Sequence, residues 1–486
     1  MTGPVIVWFR KDLRLDDHPA LRAAVASGAA VVPVYIHAPH EAGAWAEGAA
    51  SRWWLHHALV DLDAQLDKAG SRLIVRDARQ SSSLDVLLDL VEATGATRIV
   101  WSRRYEPALI ERDRAIKDEL KKRGCEAESF NGSLLYEPWD ISKADGGPYR
   151  VFTPYWRTCI ARPAPPAPKP RVTELRSLSD PPESMPIDAL ELLPRIRWDA
   201  GIAEAWTPTC AAARARLDHF LKNGVANYPE QRDLPGVDGT SRLSPYLQFG
   251  QISARRIWHA LTEHLKTCDE KDRDDVWAFA RQLVWREFAH HLLFHEPHTP
   301  GRALQEKYDA FPWRTGDGAE RDLDAWRQGR TGYPMVDAGM RQLWATGWMH
   351  NRVRMVVASF LVKHLLLDWR QGAAWFWDTL VDADLANNTL GWQWAAGCGA
   401  DAAPYFRIFN PMTQGKRFDE DGAYVRTWCP ELAKLPEKYL HRPFEAPAKV
   451  LADAEVSLGR TYPKPIIEHK AGRDRALDAL ATVTGG

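Results

Sequence analysis

The chain has 486 residues, of which 45% are hydrophobic and 26% charged, and its formal net charge is −1. This is an ordinary globular composition, and the length exceeds what one hydrophobic core fills, so we expect two or more domains. No run approaches the ~20 apolar residues of a membrane-spanning helix, and the N-terminus does not read as a signal peptide. We therefore predict a cytoplasmic protein with no membrane partner.

The numbers of cysteines and tryptophans indicate which kinds of site the protein could contain. The six cysteines are scattered without a CxxC pair, which predicts neither a zinc ribbon nor a disulfide framework. There are 22 tryptophans against 7 methionines. Because methionine fills irregular core gaps well, packing alone does not require so many indoles. Many indoles suit stacking on bases, sugars or flat cofactors, although a Trp-rich core would account for most of them.

The first 130 residues alternate short apolar runs with helical patterns. Strands are predicted at Val5–Phe9, Val31–Ile36, Arg72–Val75, Arg98–Trp101 and Cys125–Phe130. Helices are predicted between them at Ala20–Ser27, Ser51–Ala69, Ser83–Thr94 and Ala108–Arg123. This order predicts an α/β domain with a doubly wound parallel sheet. A GxGxxG after the first strand and a GxxxxGK[ST] are both missing, so an NAD-type site is not supported.

A proline-rich stretch separates this region from a helical one. Pro163–Pro170 reads PAPPAPKP, and prolines disfavour helix, so we predict a long extended linker. Beyond it, helical patterns occur at Ser253–Leu265, with Ser253 as N-cap, at Val276–Phe294, and at Val336–Leu367 with a break near Gly347. We predict an α/β domain at 1–130, an inter-domain linker at 131–204 and an all-α domain at 205–486.

The hexapeptide Thr240–Pro245, TSRLSP, has the features of a phosphate-binding helix start. Ser244 is the predicted N-cap and Pro245 the predicted first helical residue. Such a start offers free backbone N–H groups and the positive end of the helix dipole. The hydroxyls of Thr240 and Ser241, with Arg242, would add donors. An ordinary capped helix is the alternative.

A second polar cluster lies at Asp382–Asn388, DADLANN, with two indoles following in Gly391–Trp394. Two carboxylates and two amides surround a turn there, and Arg354 is a candidate to neutralise one aspartate. The aspartate spacing lacks the glycine and terminal glutamate of an EF-hand, so a calcium site is not supported. A solvated turn is the competing interpretation.

The helix around residue 285 carries two further candidates. Gln282, Trp285 and Arg286 share one helical face, which suits stacking on and reading a base, although a core helix is about equally consistent. His290, His291, His295 and Glu296 resemble a ligand set, with two histidines at i and i+4. There is no HExxH and Pro297 ends the helix, so we predict no metal site.

Six segments, in order between residues 5 and 411, resemble signature motifs of the DNA photolyase/cryptochrome family. They are Val7–Arg14, Gly239–Ser244, Trp285–Phe288, Thr331–Asp337, Trp348–Arg352 and Asp401–Pro411. One such motif would be weak, but six in the same order are not a chance match. The chain is most similar to the class I cyclobutane pyrimidine dimer photolyases within that family. The resemblance implies an N-terminal antenna domain and a helical domain that holds FAD in a bent conformation.

The resemblance also implies cofactor contacts at matching positions. The phosphates and ribityl chain would be held by Tyr228, Thr240, Ser241, Arg242, Leu243 and Ser244. Arg354 and Asp382 would pair beside the isoalloxazine ring, Asp384 would bond near the adenine or ribose, and Asn388 would face flavin N5. Trp392, Trp369 and Trp313 resemble the family's electron-hopping chain, with Trp326 as the alternative for the surface end.

The implied activity is light-driven repair of cyclobutane pyrimidine dimers, a carbon–carbon lyase reaction on ultraviolet-damaged DNA. Reduced FAD would give one electron to a lesion swung out of the duplex. Residues that would contact the lesion or its phosphates are Arg232, Gln282, Trp285, Arg286, Asn351, Arg352, Met355 and Trp394. We expect a monomer.

One residue departs from the repair pattern. Gln282 stands where enzymes that repair cyclobutane dimers usually have Glu, and an amide keeps hydrogen bonds but loses the charge. A cryptochrome-like photoreceptor and a six-four photolyase therefore remain alternatives, although Asn351 and Met355 stand where the six-four enzymes have paired histidines. A dark flavin or nicotinamide oxidoreductase and a non-catalytic nucleic-acid-binding module are the alternatives from other classes.

A second chromophore is expected at the end of the fourth strand, where Glu106 and its neighbours in Arg103–Pro107 lie. The resemblance favours methenyltetrahydrofolate, with a deazaflavin, a flavin or no antenna as alternatives. Pro300–Lys307, which helps to close the pocket in folate-binding relatives, does not match cleanly.

Overall fold

The computed structural model describes residues 3–402 and 406–484. Ala403, Pro404 and Tyr405, which belong to the last signature motif, lie outside the described residues. The N-terminal part contains a parallel sheet in the order β3-β2-β1-β4-β5. Its strands are β1 (Val5–Phe9), β2 (Val31–His37), β3 (Ile74–Asp77), β4 (Arg98–Ser102) and β5 (Glu126–Phe130). The predicted doubly wound parallel sheet is confirmed.

Helices cover both faces of this sheet. They are α1 (Pro19–Ala26), α2 (Ala49–Lys68), α3 (Ser83–Thr94) and α4 (Pro107–Lys122), with a 3-10 segment at Pro39–Trp45. Every residue of β1 and β2 is buried, as expected for parallel strands covered on both sides. The third strand starts later than predicted, because the Leu73 N–H donates to the Asp63 carboxylate at 2.9 Å.

The segment predicted to be the linker, residues 131–204, consists mostly of irregular chain. It contains α5 (Phe152–Ala161) and a 3-10 segment at Ile187–Leu190, neither of which the sequence analysis anticipated. Asp17 ties its extended part to the sheet domain: the Lys169 N–H donates to the Asp17 carboxylate at 2.9 Å. The Asp17 N–H donates back to the Lys169 carbonyl at 3.1 Å.

The C-terminal half is helical in the part that the structure describes, as predicted. The first helices are α6 (Ala200–Ala205), α7 (Cys210–Asn223), α8 (Tyr228–Gln231), α9 (Ser244–Gln248), α10 (Ala254–Thr267), α11 (Arg273–His295), α12 (Asp317–Arg327) and α13 (Pro334–Thr346). They are followed by α14 (Asn351–Ser359), α15 (Trp369–Thr379), α16 (Leu385–Ala396), α17 (Pro411–Phe418), α18 (Ala423–Trp428), α19 (Glu437–Leu440), α20 (Ala448–Asp453) and α21 (His469–Thr484).

Shorter helical segments complete this half. Those with 3-10 geometry are Glu270–Asp272, Glu306–Ala310, Pro430–Leu432 and Pro443–Glu445, and Phe360–His364 is π-helical. The predicted N-cap Ser253 is confirmed, because its hydroxyl accepts the Arg256 N–H at 3.0 Å. The predicted break at Gly347 is also confirmed, since this residue ends α13 with φ of 66°. Within the described ranges, no helix combines the length and apolarity needed to cross a membrane.

A buried arginine joins the two halves. Arg14, just after β1, donates to four backbone carbonyls: those of Asp16 at 2.8 Å, Asp17 at 2.9 Å, Gly132 at 2.7 Å and Gly250 at 2.7 Å. These acceptors lie in the loop after β1, in the linker and in the helical half. A buried guanidinium is tolerated only when its donors are satisfied, so the three segments are held in one arrangement.

The backbone of the helical half approaches the loop after β1 closely at Gly250. Its φ is 67°, and a Cβ there would lie 2.2 Å from the Lys11 carbonyl oxygen and 2.5 Å from the Asp12 Cα. Glycine therefore satisfies two requirements at this position: a left-handed backbone and space for the loop after β1.

Gly250→Ala should lower the thermal midpoint by about 2 °C or more. A left-handed backbone costs an L-residue roughly 1–2 kcal/mol, and the clash with Lys11 adds to that cost. Gly28→Ala is the matched control, because Gly28 has φ of 72° but nothing within 4 Å of a Cβ. Equal shifts in the two variants, measured by thermal unfolding, would show that the close approach is unimportant.

Candidate functional site

One face of α16 is not covered by other residues, and the space beside this face is called the hollow below. This helix packs against α11, α14 and α15, yet Asn387 and Gly391, one turn apart on one side, are exposed. A Cβ at Gly391 would meet no atom within 4 Å. Exposure in the middle of a packed helix means that this face of α16 is accessible to a ligand. Trp394 continues the same face and is half-buried.

The carboxylate of Asp382, just before this helix, has several hydrogen-bond partners. Asp382 accepts two hydrogen bonds from the guanidinium of Arg354, at 3.0 and 2.8 Å, and one from the Ser244 hydroxyl at 2.6 Å. The structure thus brings together three residues predicted to lie near the flavin. Ser244 was wrongly predicted as an N-cap: Leu243 precedes the first helical residue, Ser244, whose hydroxyl is directed to Asp382 instead.

The loop before α9 presents unused backbone donors. Among the described residues, the N–H groups of Thr240, Ser241 and Arg242 donate to no acceptor. Arg242 has φ of 48°, an unusual value for a non-glycine residue. Arg216, which the sequence analysis missed, holds the loop by donating to the Ser241 carbonyl at 3.0 Å and the Thr240 carbonyl at 3.1 Å. Free amides in such a loop suit an anion.

Asp384 begins α16 as its N-cap. Its carboxylate accepts the Asn387 backbone N–H at 2.8 Å and lies 3.4 Å from the His290 Nε2. Burial favours the neutral acid, but the adjacent His290 outweighs it and holds the pKa of Asp384 below its usual range. Asn388 is half-buried and donates to the Ala373 carbonyl at 3.0 Å. His290 was considered only as a metal ligand, and its pairing with Asp384 has no local sequence signal.

Tyr228 and Arg232 form a unit at α8. The Tyr228 side chain is buried, which raises the pKa of its hydroxyl to about 12. The Arg232 guanidinium lies 5.4 Å from the Tyr228 ring centroid. The aromatic ring also meets Phe220 and Phe279 edge-on, so both neighbours belong to the core that supports this helix.

Most of the residues predicted to contact a lesion lie on α11 and α14. On α11, Gln282 donates to the Ala278 carbonyl at 3.2 Å and Arg286 donates to the Ser133 carbonyl of the linker at 3.0 Å. Trp285 is half-buried between them. Arg286 is therefore engaged with the protein itself, which the helical-face argument did not foresee.

On α14, Asn351 is exposed and Met355 half-buried. Arg352 pairs with Asp233 at 2.7 Å, so its charge is already partly compensated. Trp394, on α16, lines a small cavity of about 20 Å³. Arg407, in the chain that follows α16, lines the same cavity.

The predicted tryptophan chain is only partly assembled by direct ring contact. Trp392 is buried, and its ring centroid lies 6.2 Å from that of Trp326, the alternative member. Trp326 is also fully buried and donates to the Val357 carbonyl at 3.0 Å. In the described chain no ring pair joins Trp392 to Trp369 or Trp313, although all four contribute to one hydrophobic cluster. Trp313 is half-buried and lies nearer the surface.

Glu287 is a buried acid that links α11 to the linker. It accepts the Leu135 N–H at 2.8 Å and the Tyr136 N–H at 3.2 Å, and it is 2% exposed. Burial raises the pKa of this carboxyl to about 7, although the neighbouring Arg286 acts in the opposite direction. A glutamate within an otherwise apolar helix face was the available signal for such a role.

Two other histidines of α11, His291 and His295, contact backbone groups. His291 accepts the Tyr149 N–H at 3.0 Å, and its other ring nitrogen lies 3.0 Å from the Pro138 carbonyl oxygen. His295 reaches the same carbonyl at 3.3 Å. Across residues 3–402 and 406–484, no group of histidine, cysteine or acidic side chains has the arrangement of a metal site.

A cavity of about 290 Å³ opens at the carboxyl ends of the strands. Ligands of doubly wound sheets bind at this edge. The charged residues that line it are Lys11, Glu47, Arg104 and Glu106, and its far wall includes Trp377, Pro300 and Gly301. Burial raises the pKa of Glu106, but the Arg104 guanidinium more than reverses this and brings it to about 2.

Comparison with known proteins identifies the family. The sequence model described as DNA photolyase matches residues 5–171, and the one described as the FAD binding domain of DNA photolyase matches residues 279–482. A deoxyribodipyrimidine photo-lyase of Agrobacterium fabrum is 48% identical over 99% of this chain and 98% of its own. The chain belongs to the DNA photolyase/cryptochrome family. Cryptochrome-1 of Arabidopsis thaliana is 39% identical over 99% of this chain and 70% of its own.

The fold agrees with the family. The crystal structure of a bacterial class III photolyase from Agrobacterium tumefaciens matches with a TM-score of 0.94 and 47% identity, over 100% of this chain and 98% of that one. The motif resemblance above points to class I, so the family common to both classes is what the comparisons establish.

The residues around the hollow fit the FAD that this domain of the family binds. Free amides of the loop before α9 suit its phosphates. The exposed face of α16 provides space for a ring system, because Gly391 leaves room where other residues would carry a side chain.

Glu287→Gln should make the protein relatively more stable as pH rises. Because the folded state raises the pKa of Glu287 to about 7 from its ordinary 4.5, the stability that this group contributes is present below pH 4.5 and lost as pH rises through 7. Between about pH 5 and pH 8, the thermal midpoint of the variant should gain roughly 2–4 °C on the unmodified protein. Glu204→Gln, at an exposed position, is the control, and parallel pH profiles in both variants would contradict the assignment.

Proposed function

We propose that this protein repairs cyclobutane pyrimidine dimers in ultraviolet-damaged DNA by light-driven electron transfer from reduced FAD. The observation that carries the proposal is the shared face of α16. Asn387, Gly391 and Trp394 lie along it, so a single helix borders the cofactor hollow and ends in a half-buried indole suited to stacking on a base. This arrangement would bring a lesion close to the cofactor.

The protein residues have defined tasks in this proposal. When bound, FAD would supply one electron to the dimer on excitation and take it back once the cyclobutane ring had opened, so that no net oxidation would occur. Arg354 and Asp382 hold the polar wall of the hollow, and the loop from Thr240 to Leu243 binds the phosphates. Trp285 and Trp394 wall the extruded lesion, whose unstacking costs a few kcal/mol and less at a damaged site.

The other contacts act around the lesion. Gln282 offers an amide to the damaged bases, while Asn351 and Met355 contact their edges. Arg232 and Arg352 contact flanking phosphates, with the charge of Arg352 moderated by Asp233. Asp384 and Asn388 complete the cofactor contacts from the start of α16.

Gln282 supports one rival, a blue-light photoreceptor of the cryptochrome kind with little or no repair. Its amide is partly engaged by the Ala278 carbonyl and carries no charge for a lesion. A six-four photolyase is less well supported, because Asn351 and Met355 offer no imidazole where that chemistry uses one.

An antenna chromophore fits the cavity beyond the strand ends. Its paired charges and the indole of Trp377 suit a flat molecule with polar substituents. Pro300 and Gly301 line it, which supports methenyltetrahydrofolate despite the imperfect local motif. An absorption band in addition to that of FAD, in protein purified intact, would identify the occupant.

The direct test of the function is repair. Purified protein with reduced FAD, irradiated with blue light, should restore thymines in an oligonucleotide that contains a cyclobutane dimer, and it should do nothing in the dark. Chromatography of the digested oligonucleotide measures the product. FAD-loaded protein that restores no thymine under reducing conditions would point to the photoreceptor instead.

Gln282→Glu should improve repair. A hydrogen bond from or to a charged group is worth about 1 kcal/mol more than a neutral one, so lesion affinity should rise by about fivefold. Gln371→Glu adds the same charge on the exposed side of α15 and should change neither affinity nor repair. Loss of repair in Gln282→Glu would show that this family member depends on the amide.

Trp392→Phe should remove most of the light-driven reduction of oxidised FAD while leaving FAD bound. Trp326→Phe should slow the same reaction, because the Trp326 indole is the tryptophan ring that contacts Trp392. Trp258→Phe, a buried indole on α10, is the control. Transient absorption follows the rate, and an unchanged rate in Trp392→Phe would exclude the proposed hopping chain.

A further inference from the structure

The indole of Trp285 is covered on one face by a ring from a distant part of the chain. The Phe152 ring centroid lies 3.7 Å from it, and the two planes are 8° apart. Phe152 is the first residue of α5, in the linker, whereas Trp285 lies on α11. Phe152 is only 2% exposed, so the phenyl ring is itself held by the surrounding core.

Two more side chains restrain this pair. Phe288, on the next turn of α11, meets both rings edge-on, at 5.8 Å from Trp285 and 5.9 Å from Phe152. The Arg281 guanidinium, one turn before Trp285, lies 6.0 Å from the Phe152 centroid. The indole is therefore restrained on one face and along one edge, and its partial exposure leaves part of its remaining surface accessible.

The contact differs from ordinary aromatic packing. Aromatic pairs in proteins favour offset or edge-to-face arrangements, with centroids about 4.5–7 Å apart. The Phe152 ring is closer and nearly parallel, and it covers the centre of the indole. A ring covered in this way cannot tilt toward α5.

We infer that Phe152 is a positioning residue for lesion binding: it fixes the plane of Trp285, so that the open face of the indole is ready to stack. The inference rests on the proposed function, in which Trp285 walls the lesion. Ordering a mobile aromatic side chain on binding lowers affinity, and a ring that is already ordered avoids this loss. The linker thus contributes to lesion affinity without touching the DNA.

Phe152→Leu tests this role, because it keeps an apolar side chain but removes the flat ring. The dissociation constant for duplex DNA that contains a dimer should rise about fivefold. Affinity for undamaged duplex, FAD content and the repair rate at saturating lesion should not change. Phe152→Tyr, which retains the ring, should keep the original lesion affinity.

Phe9→Leu is the matched control, since it makes the same exchange at a fully buried phenylalanine of β1. A second measurement follows Trp285 directly in protein labelled with 5-fluorotryptophan. The fluorine signal of Trp285 is assigned by its loss in Trp285→Phe. Phe152→Leu should shift or broaden that signal, and Phe9→Leu should not.

Unchanged lesion affinity, or an unchanged Trp285 fluorine signal, in Phe152→Leu overturns the inference. Trp285→Ala separates this failure from that of the proposed function. If Trp285→Ala does not weaken lesion binding, the indole is not the lesion wall and the proposed function must be revised. If it does and Phe152→Leu does not, only the positioning role fails.

Discussion

The arrangement of this molecule depends on one buried charge, the guanidinium of Arg14. Four carbonyls from the loop after β1, the linker and the helical half satisfy its donors. Because an unsatisfied charge is costly away from water, these three segments have one compatible arrangement. Asp17 reinforces the joint by accepting hydrogen bonds from Ser253 and Arg255 at the start of α10. The cavity at the strand ends and the hollow beside α16 therefore keep a constant relation to each other.

The polar residues around the hollow are held in place by contacts within the protein. Asp382 is held by Arg354 and Ser244, and Asp384 by its own helix and by His290. Each carboxylate thus has partners from an element other than its own. In a site of low dielectric such satisfied pairs are rigid, so the cofactor would meet fixed charges rather than reorganise them.

The fold was predictable because its signals are local, whereas much of the site was not. Continuous apolar runs predict buried parallel strands, and Ser253 and Gly347 mark helix ends by their own chemistry. The same reasoning was wrong for Ser244, because its hydroxyl donates to Asp382, which lies 138 residues away along the chain. Helix α5 was also missed, because its sequence resembled a loop. Pro154 lies in the first turn of this helix, where proline is tolerated. The pairing of Trp392 with Trp326 arises from helix packing, which no spacing encodes.

The common face of α16 has a consequence for thermal motion. When one rigid helix carries both the border of the hollow and Trp394, a shift of that helix displaces the two together. Their separation is then set by the rise of about 1.5 Å per residue and does not fluctuate with loops or domain breathing. The rate of an electron transfer falls steeply with the distance between donor and acceptor, so a constant separation would protect that rate from movements of the rest of the protein. Heat or crowding would then change how often the site is filled rather than how fast the transfer occurs.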